Sequence, residues 1–336
     1  MNAPAELRCI QHELRLSTPD AGPVETAREM VCSERCRVPV VKSIPRFVEQ
    51  TSYADAFGIQ WNAFRKTQLD SHTGTTISRD RLTRCFGGSL RVVEGKSVLE
   101  VGCGAGRFTE LLLAAGARVF ACDLSSAVEA NYLNCNRATD YFVCQADVRS
   151  LPATRNAFDF VMCLGVIQHT PSPEETIKAL ASYVRPGGML VIDHYTAGYP
   201  QNFLQRNIRK LLIRLPPRLE KSLAVSLARA LLPLHRLTWK NRRGFWRFRE
   251  PLLRHSPLLD YRDVYPELGE ELLGEWSILD TNDSLTDYYK HFRTAEEIQA
   301  ALHSCGLVDL EIACAGNGIE ARARMPAAEN QNRIRA

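Results

Sequence analysis

Apolar and polar positions along the chain follow two periods. Short apolar runs recur over 97–101, 117–122, 141–145, 158–164 and 189–193. Between them, apolar residues return at helical spacing over 108–115, 125–137 and 172–184, and in the last of these Ile177, Leu180, Ala181 and Val184 share one face. Ser172 precedes Pro173, with Glu175 three residues on, which reads as a capped helix start. Strands alternating with helices predict a parallel sheet covered on both faces. A helix is also expected up to about Phe86 and another from the Thr294/Glu297 capping box to Gly306. Two last strands, over 307–313 and 319–324, flank the turn pair Asn317-Gly318 and predict a closing hairpin.

Residues 201–255 break this pattern. Phe203, Leu204, Ile208, Leu211, Leu212 and Leu215 form an apolar stripe with Arg206, Arg209, Lys210 and Arg214 mainly off it. Pro216-Pro217 should end that helix, and a second is expected over 219–232, before Pro233. A basic patch follows from Lys240 to Arg249, and Glu220 and Glu250 are the only acids of the whole stretch. The net charge of +4 on 336 residues is therefore concentrated here. Glu6, Glu13, Asp20 and Glu25 interrupt the N-terminal residues, so no signal peptide is expected. No apolar run nears the ~20 residues of a membrane span. Eleven cysteines, an odd number spread through core strands, suit reduced thiols in a cytosol.

The stretch that carries chemistry is Val98-Leu-Glu-Val-Gly-Cys-Gly-Ala-Gly-Arg-Phe-Thr109. A strand runs into Gly102-x-Gly104-x-Gly106 and a helix begins, so backbone can approach a ligand closely and helix N–H groups stand free. Asp123 ends the next apolar run about twenty residues on, where an acid can take ribose hydroxyls. A dinucleotide fingerprint needs its third glycine one place later, where Arg107 stands. His169 closes the fourth run with a side chain that titrates near neutrality, which suits a general base; His194 and Tyr195 follow the fifth on the same rim, and Asp193 reads as structural.

The glycine spacing, Asp123, Phe158-Asp-Phe-Val-Met-Cys-Leu-Gly-Val-Ile-Gln-His169 and Arg185-Pro-Gly-Gly-Met-Leu190 together resemble class I S-adenosylmethionine (SAM) methyltransferases, most closely over 97–195. The resemblance implies an α/β, Rossmann-like seven-stranded, mostly parallel sheet with a C-terminal antiparallel hairpin. It also implies SAM as cofactor. Glu100 would help hold the methionine part, Gly102, Cys103, Gly104 and Gly106 would shape its pocket, Asp123 would take the ribose and Asp147 the adenine. Leu124, Val148 and Leu164 would complete the cofactor wall. Similar enzymes carry an Asp-Thr-x-Asp segment followed by aromatics near the acceptor, which makes Asp280, Asp283, Tyr288, Tyr289 and His291 substrate-site candidates.

Cys9-Ile-Gln-His12 and Cys32-Ser-Glu-Arg-Cys36 have the spacing of a tetrahedral zinc ribbon with a structural role. The following Val38-Pro-Val-Val-Lys-Ser-Ile-Pro45 resembles the tail of small zinc-ribbon modules fused to, or partnering, some methyltransferases. A histidine replaces one cysteine here and Ser43 stands where glycine is usual, so a degenerate ribbon without metal is the alternative. Aromatics of 53–64 suit a lid over the cofactor, or simple packing.

The expected organisation is a zinc-ribbon-like segment at 1–50, a helical lid at 51–92, a SAM-binding core at 93–196 and a helical insertion after strand five at 197–285. The core would close over 286–326, leaving a tail at 327–336. The expected activity is methyl transfer to an oxygen of a small or lipid-linked metabolite, with peripheral membrane contact through 201–255. No RNA-binding motif is present, so a nucleic-acid partner is not expected. An oxidoreductase with a nicotinamide cofactor and a non-catalytic SAM-binding or membrane-associating module stay open as alternatives.

Overall fold

The computed structural model describes residues 6–20, 22–48, 52–197, 201–240, 242–316 and 318–327, with side chains left out at 242–246. A small antiparallel sheet comes first: β1 (Glu29–Val31), β2 (Arg37–Val41) and β3 (Ile44–Pro45). Three helices follow, α1 (Asp55–Ala63), α2 (Asp70–Thr73) and α3 (Ile77–Cys85). The core then alternates β4 (Ser97–Val101), α4 (Thr109–Ala114), β5 (Arg118–Asp123), α5 (Val128–Cys135), β6 (Tyr141–Gln145), β7 (Phe158–Cys163), α6 (Pro173–Ala181) and β8 (Val184–Tyr195). The inserted helices are α7 (Phe203–Leu212), α8 (Pro217–Lys240), α9 (Arg242–His255) and α10 (Gly269–Thr286). The chain closes with α11 (Ala295–Ser304), β9 (Val308–Ala315) and β10 (Gly318–Arg324).

The main sheet has seven strands in the order β6-β5-β4-β7-β8-β10-β9, parallel except for β10, which runs antiparallel to both β8 and β9. This is the α/β, Rossmann-like, mostly parallel sheet with a closing antiparallel hairpin that the resemblance implies. The strands at its centre are buried on both faces, and β4 has no exposed residue, as a parallel sheet covered by helices requires. Asn317 of the expected hairpin turn lies outside the described residues, as do residues 328–336 of the expected tail.

Several boundaries differ from the sequence expectation. The fifth strand begins at Val184 and runs through Arg185-Pro-Gly-Gly188, because its N-terminal part already pairs beside β7. A helix passes through Pro233 instead of stopping before it. A proline costs a helix interior about 3 kcal/mol, but Val225, Ala228 and Leu232 before it pack against Leu258 and Ile278, and buried His235 after it is hydrogen-bonded to Asp260 and Ser256. Residues 276–286, nearly all of them inside the helical insertion expected over 197–285, form the C-terminal part of α10. That helix is enclosed nearly all round, so no amphipathic stripe announces it.

The N-terminal sheet joins the main core and is not held apart by a linker. Leu7, Met30, Val38 and Phe47 belong to one apolar cluster with Leu99, Phe120 and Phe142. Arg8 N donates to Pro152 O at 3.0 Å and Phe47 N to Gln145 O at 2.8 Å, which ties the segment to the β6 edge and to the loop after it.

Candidate functional site

The strand ends of β4, β5, β6 and β7 open into one cavity of about 510 Å³. Its floor is the glycine bend. Gly102 adopts φ +73°, and a Cβ there would come 2.1 Å from Val166 Cγ2, so only glycine fits. Gly104 N donates to Asp123 Oδ2 at 3.0 Å, while Ser125 N and Oγ donate to Asp123 Oδ1 at 2.8 and 2.7 Å. The acid that ends the next strand is thus fixed against the bend. Burial raises the Asp123 carboxyl despite these three donors. Trp61 of α1 lies over the bend, its ring 3.5 Å from where a Gly104 Cβ would stand.

Cys103, Leu124, Asp147, Val148 and Leu164 line the same cavity. Burial pushes the Asp147 carboxyl up, but its hydrogen bonds from Arg149 outweigh this and hold it below the ordinary carboxylate range. Two expected cofactor residues are placed elsewhere. Glu100 is 2% exposed, accepts from Thr109 Oγ1 at 2.6 Å and does not line the cavity. Burial raises its carboxyl to about 8. Gly106 faces α5, where a Cβ would meet Cys135 Sγ at 3.0 Å; it allows close helix packing and touches no ligand space.

His169 does line the cavity. It is buried, and burial lowers its pKa to about 3, so the ring is neutral at pH 7. Its Nδ1 stands 3.1 Å from the Tyr289 carbonyl, which can only accept, so Nδ1 carries the proton and Nε2 the lone pair. Asp287 Oδ2 lies 3.4 Å from the same Nδ1, positioned to meet the positive charge that proton uptake would create. Asp287 is held in turn by Arg209 and by Lys290 at 3.0 Å. Burial raises its carboxyl to about 6.

The expected acceptor residues divide. Asp280, Asp283 and Tyr195 line the cavity; His194, Tyr288, Tyr289 and His291 do not. Asp283 accepts from Gln60 Nε2 at 3.3 Å, and burial, with the Asp287 and Asp280 charges, raises it to about 7. Asp193, read as structural, ion-pairs with Arg81 and accepts from Gly165 N. Residues that the sequence reading did not single out complete the wall: Arg81, Arg107, Phe108, Tyr265 and Trp276. Arg107, directly after the third glycine, was the one available signal.

At the other end of the chain, Cys9, His12, Cys32 and Cys36 come together with all ligand atoms within 4.8 Å of one another. His12 Nδ1 is 3.9, 3.8 and 3.4 Å from the sulfurs of Cys9, Cys32 and Cys36. A tetrahedron with Zn–S about 2.3 Å and Zn–N about 2.0 Å has ligand-to-ligand edges of about 3.5–4 Å, so the donor set fits a closed zinc site.

The comparisons with known proteins agree with this geometry. Residues 99–192 match a family model described as a methyltransferase domain. That stretch runs from β4 into β8, so it is along these parallel strands that the chain is similar to a methyltransferase domain. The ubiquinone biosynthesis O-methyltransferase of Coxiella burnetii (strain RSA 493 / Nine Mile phase I) is 35% identical over 101 residues, 29% of this chain and 43% of that protein. The protein of the same name from Idiomarina loihiensis is 32% identical over 123 residues, 35% of this chain and 46% of that protein. The match therefore spans less than half the length of these curated relatives. Among solved structures, a SAM-dependent methyltransferase from Aquifex aeolicus aligns with 82% of this chain and 99% of its own at 13% identity and a TM-score of 0.43.

Proposed function

We propose that this protein transfers a methyl group from SAM to an oxygen of a small or lipid-linked metabolite. The observation that carries the reading is the Gly104–Asp123 hydrogen bond at the floor of an open cavity, inside the stretch that matches the methyltransferase family. The similarity to ubiquinone biosynthesis O-methyltransferases supports oxygen as the nucleophile.

Asp123 would take the ribose hydroxyls and Asp147 the adenine amino group, with Leu124, Val148 and Leu164 against the ring. The sulfonium supplies a good leaving group. The remaining tasks are to hold the acceptor oxygen in line with the methyl carbon, keep water out and remove the hydroxyl proton. Tyr53, Phe57 and Trp61 line the cavity and would form the lid that excludes water. His169 would take the proton at Nε2, and Asp287 would stabilise the imidazolium formed. Cys9, His12, Cys32 and Cys36 would hold a structural zinc that braces the loop after β6.

The insertion supports a membrane-facing role. Phe203, Leu204, Leu211, Leu219 and Leu223 are all exposed, and Arg206, Lys210, Arg214 and Arg218 are exposed beside them. Apolar side chains within a cationic field suit an anionic bilayer surface. Among the described residues no helix is long and apolar enough to cross a membrane, so the contact would be peripheral.

Two measurements test the proposal. Calorimetry should show binding of SAM and not of NADH, and a mass-spectrometric search of a cell extract should find a metabolite that gains one methyl with the natural protein but not with Asp123→Ala. Tight SAM binding with no methylated product would favour a binding module and remove the catalytic reading. For the surface, the full chain should float with anionic vesicles and not with neutral ones, and Phe203→Ser/Leu211→Ser should reduce flotation; equal behaviour on both vesicles would remove the membrane contact.

A further inference from the structure

Two arginines left unused by the cofactor reading meet in the cavity wall. Arg81 of α3 and Arg107 after the glycine bend both lie against the ring of Phe108, at 5.6 and 5.2 Å from its centre. Their partners differ. Arg81 is ion-paired with buried Asp193, yet its Nε is buried without an acceptor. Arg107 donates only to neutral oxygens, Ser78 Oγ at 2.8 Å and Gln68 Oε1 at 2.9 Å, and forms no ion pair among the described residues. Asp280 and, more weakly, Asp70 are the carboxylates whose charges reach it, and Gln68 Nε2 and Trp276 Nε1 already donate to the two oxygens of Asp280, at 3.0 and 3.1 Å.

Two guanidinium groups on one ring repel each other, and taking them out of water costs several kcal/mol apiece unless opposite charge meets them. Burial and the Arg81 charge lower the Arg107 pKa to about 10, which reflects this strain. A bound oxyanion relieves it, because the planar forks match the oxygens of a carboxylate or a phosphate. The surroundings describe the rest of the ligand. Arg107 also lies 5.4 Å from the ring of Trp276 in α10. Arg107 is therefore bracketed by two aromatic faces, one of them from the inserted helices and not from the strand ends that hold Asp123 and Asp147.

We propose that Arg81 and Arg107 form an oxyanion subsite for the methyl acceptor, which carries a carboxylate or phosphate on a flat apolar body seated against Phe108 and Trp276. This rests on the methyl-transfer reading of the cavity and deepens it. SAM brings a carboxylate of its own, at its amino-acid end, so the test must separate the two sources.

The protein is first saturated with S-adenosylhomocysteine (SAH), then titrated in a calorimeter with benzoate, phenyl phosphate and benzyl alcohol. At least one of the two anions should bind, and bind about tenfold or more tighter than the neutral alcohol. Arg107→Gln should weaken that anion about tenfold while SAH affinity stays within about threefold. A thermal transition confirms that the variant is folded; if it is not, the contrast between anions and alcohol on the natural protein decides alone. Equal binding of charged and neutral probes, or none of either, overturns the subsite. So does an Arg107→Gln variant that loses SAH about tenfold but keeps 5′-methylthioadenosine, which lacks the amino-acid end, since the pair would then belong to the cofactor. Failure of SAH to bind the natural protein would instead remove the methyltransferase reading, and the subsite with it.

Discussion

The two halves of the cavity are built in different ways. The cofactor half comes from consecutive strand ends: Gly102 and Gly104 after β4, Asp123 at the end of β5, Asp147 after β6 and Leu164 after β7. Each belongs to a short motif, and parallel pairing alone brings them to one edge. The acceptor half comes from segments far apart in the chain. Gln60 reaches Asp283 across 223 positions, and Gln68 reaches Asp280 across 212. The first half is a property of a sheet. The second is a property of how helices α1, α3 and α10 happen to close over it, and it is where charge is concentrated away from solvent.

The contrast can be broken at several points, and the largest effect is expected at the floor. Asp123→Ala removes the acceptor for three donors and the carboxylate for the ribose. SAH affinity should fall about a hundredfold by calorimetry, since charge-assisted hydrogen bonds are worth about 1.5–3 kcal/mol each. A small change would mean that the cofactor is held by the other half.

The next effect concerns which wall removes the proton. A base must be unprotonated to act, so activity is lost as pH falls through its pKa. His169, lowered to about 3, is already neutral and leaves kcat/KM flat between about pH 5 and 8. Asp283, raised to about 7, would instead impose a tenfold loss per pH unit below neutrality. The pH profile of the natural protein separates the two, and His169→Gln should lower kcat by about a hundredfold only in the first case.

Metal removal should act at a distance. Chelation at Cys9, His12, Cys32 and Cys36 should lower Tm and weaken SAH binding a few-fold, because the segment is tied to Pro152 and Gln145 on either side of Asp147. A chelator that moves neither would show that the cluster holds no metal, or that the adenine loop stands without it.

The smallest effect tests a residue that only appears to belong to the site. Glu100→Gln should leave SAH affinity unchanged, since the carboxyl faces Thr109. The folded-state carboxyl is raised to about 8, so burial costs stability from the unfolded-state pKa upward and most fully above about pH 8. The variant should therefore raise Tm at pH 8 and change it little at pH 4.

The strand–helix alternation and the glycine bend with its acid were legible because each rests on a local signal: an apolar run, a glycine bend, an acid closing a strand. The Thr294/Glu297 capping box forms with both of its hydrogen bonds for the same reason. Misreadings gathered where distant contacts outweigh local preference. Pro233 does not break its helix because packing before it and the hydrogen bonds of buried His235 after it hold the helix. The aspartates of 280–287 look like a polar connection, yet they turn inward and find Gln60, Gln68 and Arg209. Arg209 itself reads as part of a solvated basic face and instead pairs with buried Asp287.

By itself, then, the sequence determined a parallel sheet, a glycine bend with its acid, and a cluster of three cysteines and a histidine, because backbone conformation and strand period are written within a few residues. Only the tertiary structure decided which side chains line the cavity beyond the strand ends, that burial lowers the His169 pKa, and that Arg81 and Arg107 lie against one ring. Those depend on burial and on the distance between charges, and neither quantity exists until remote segments have packed.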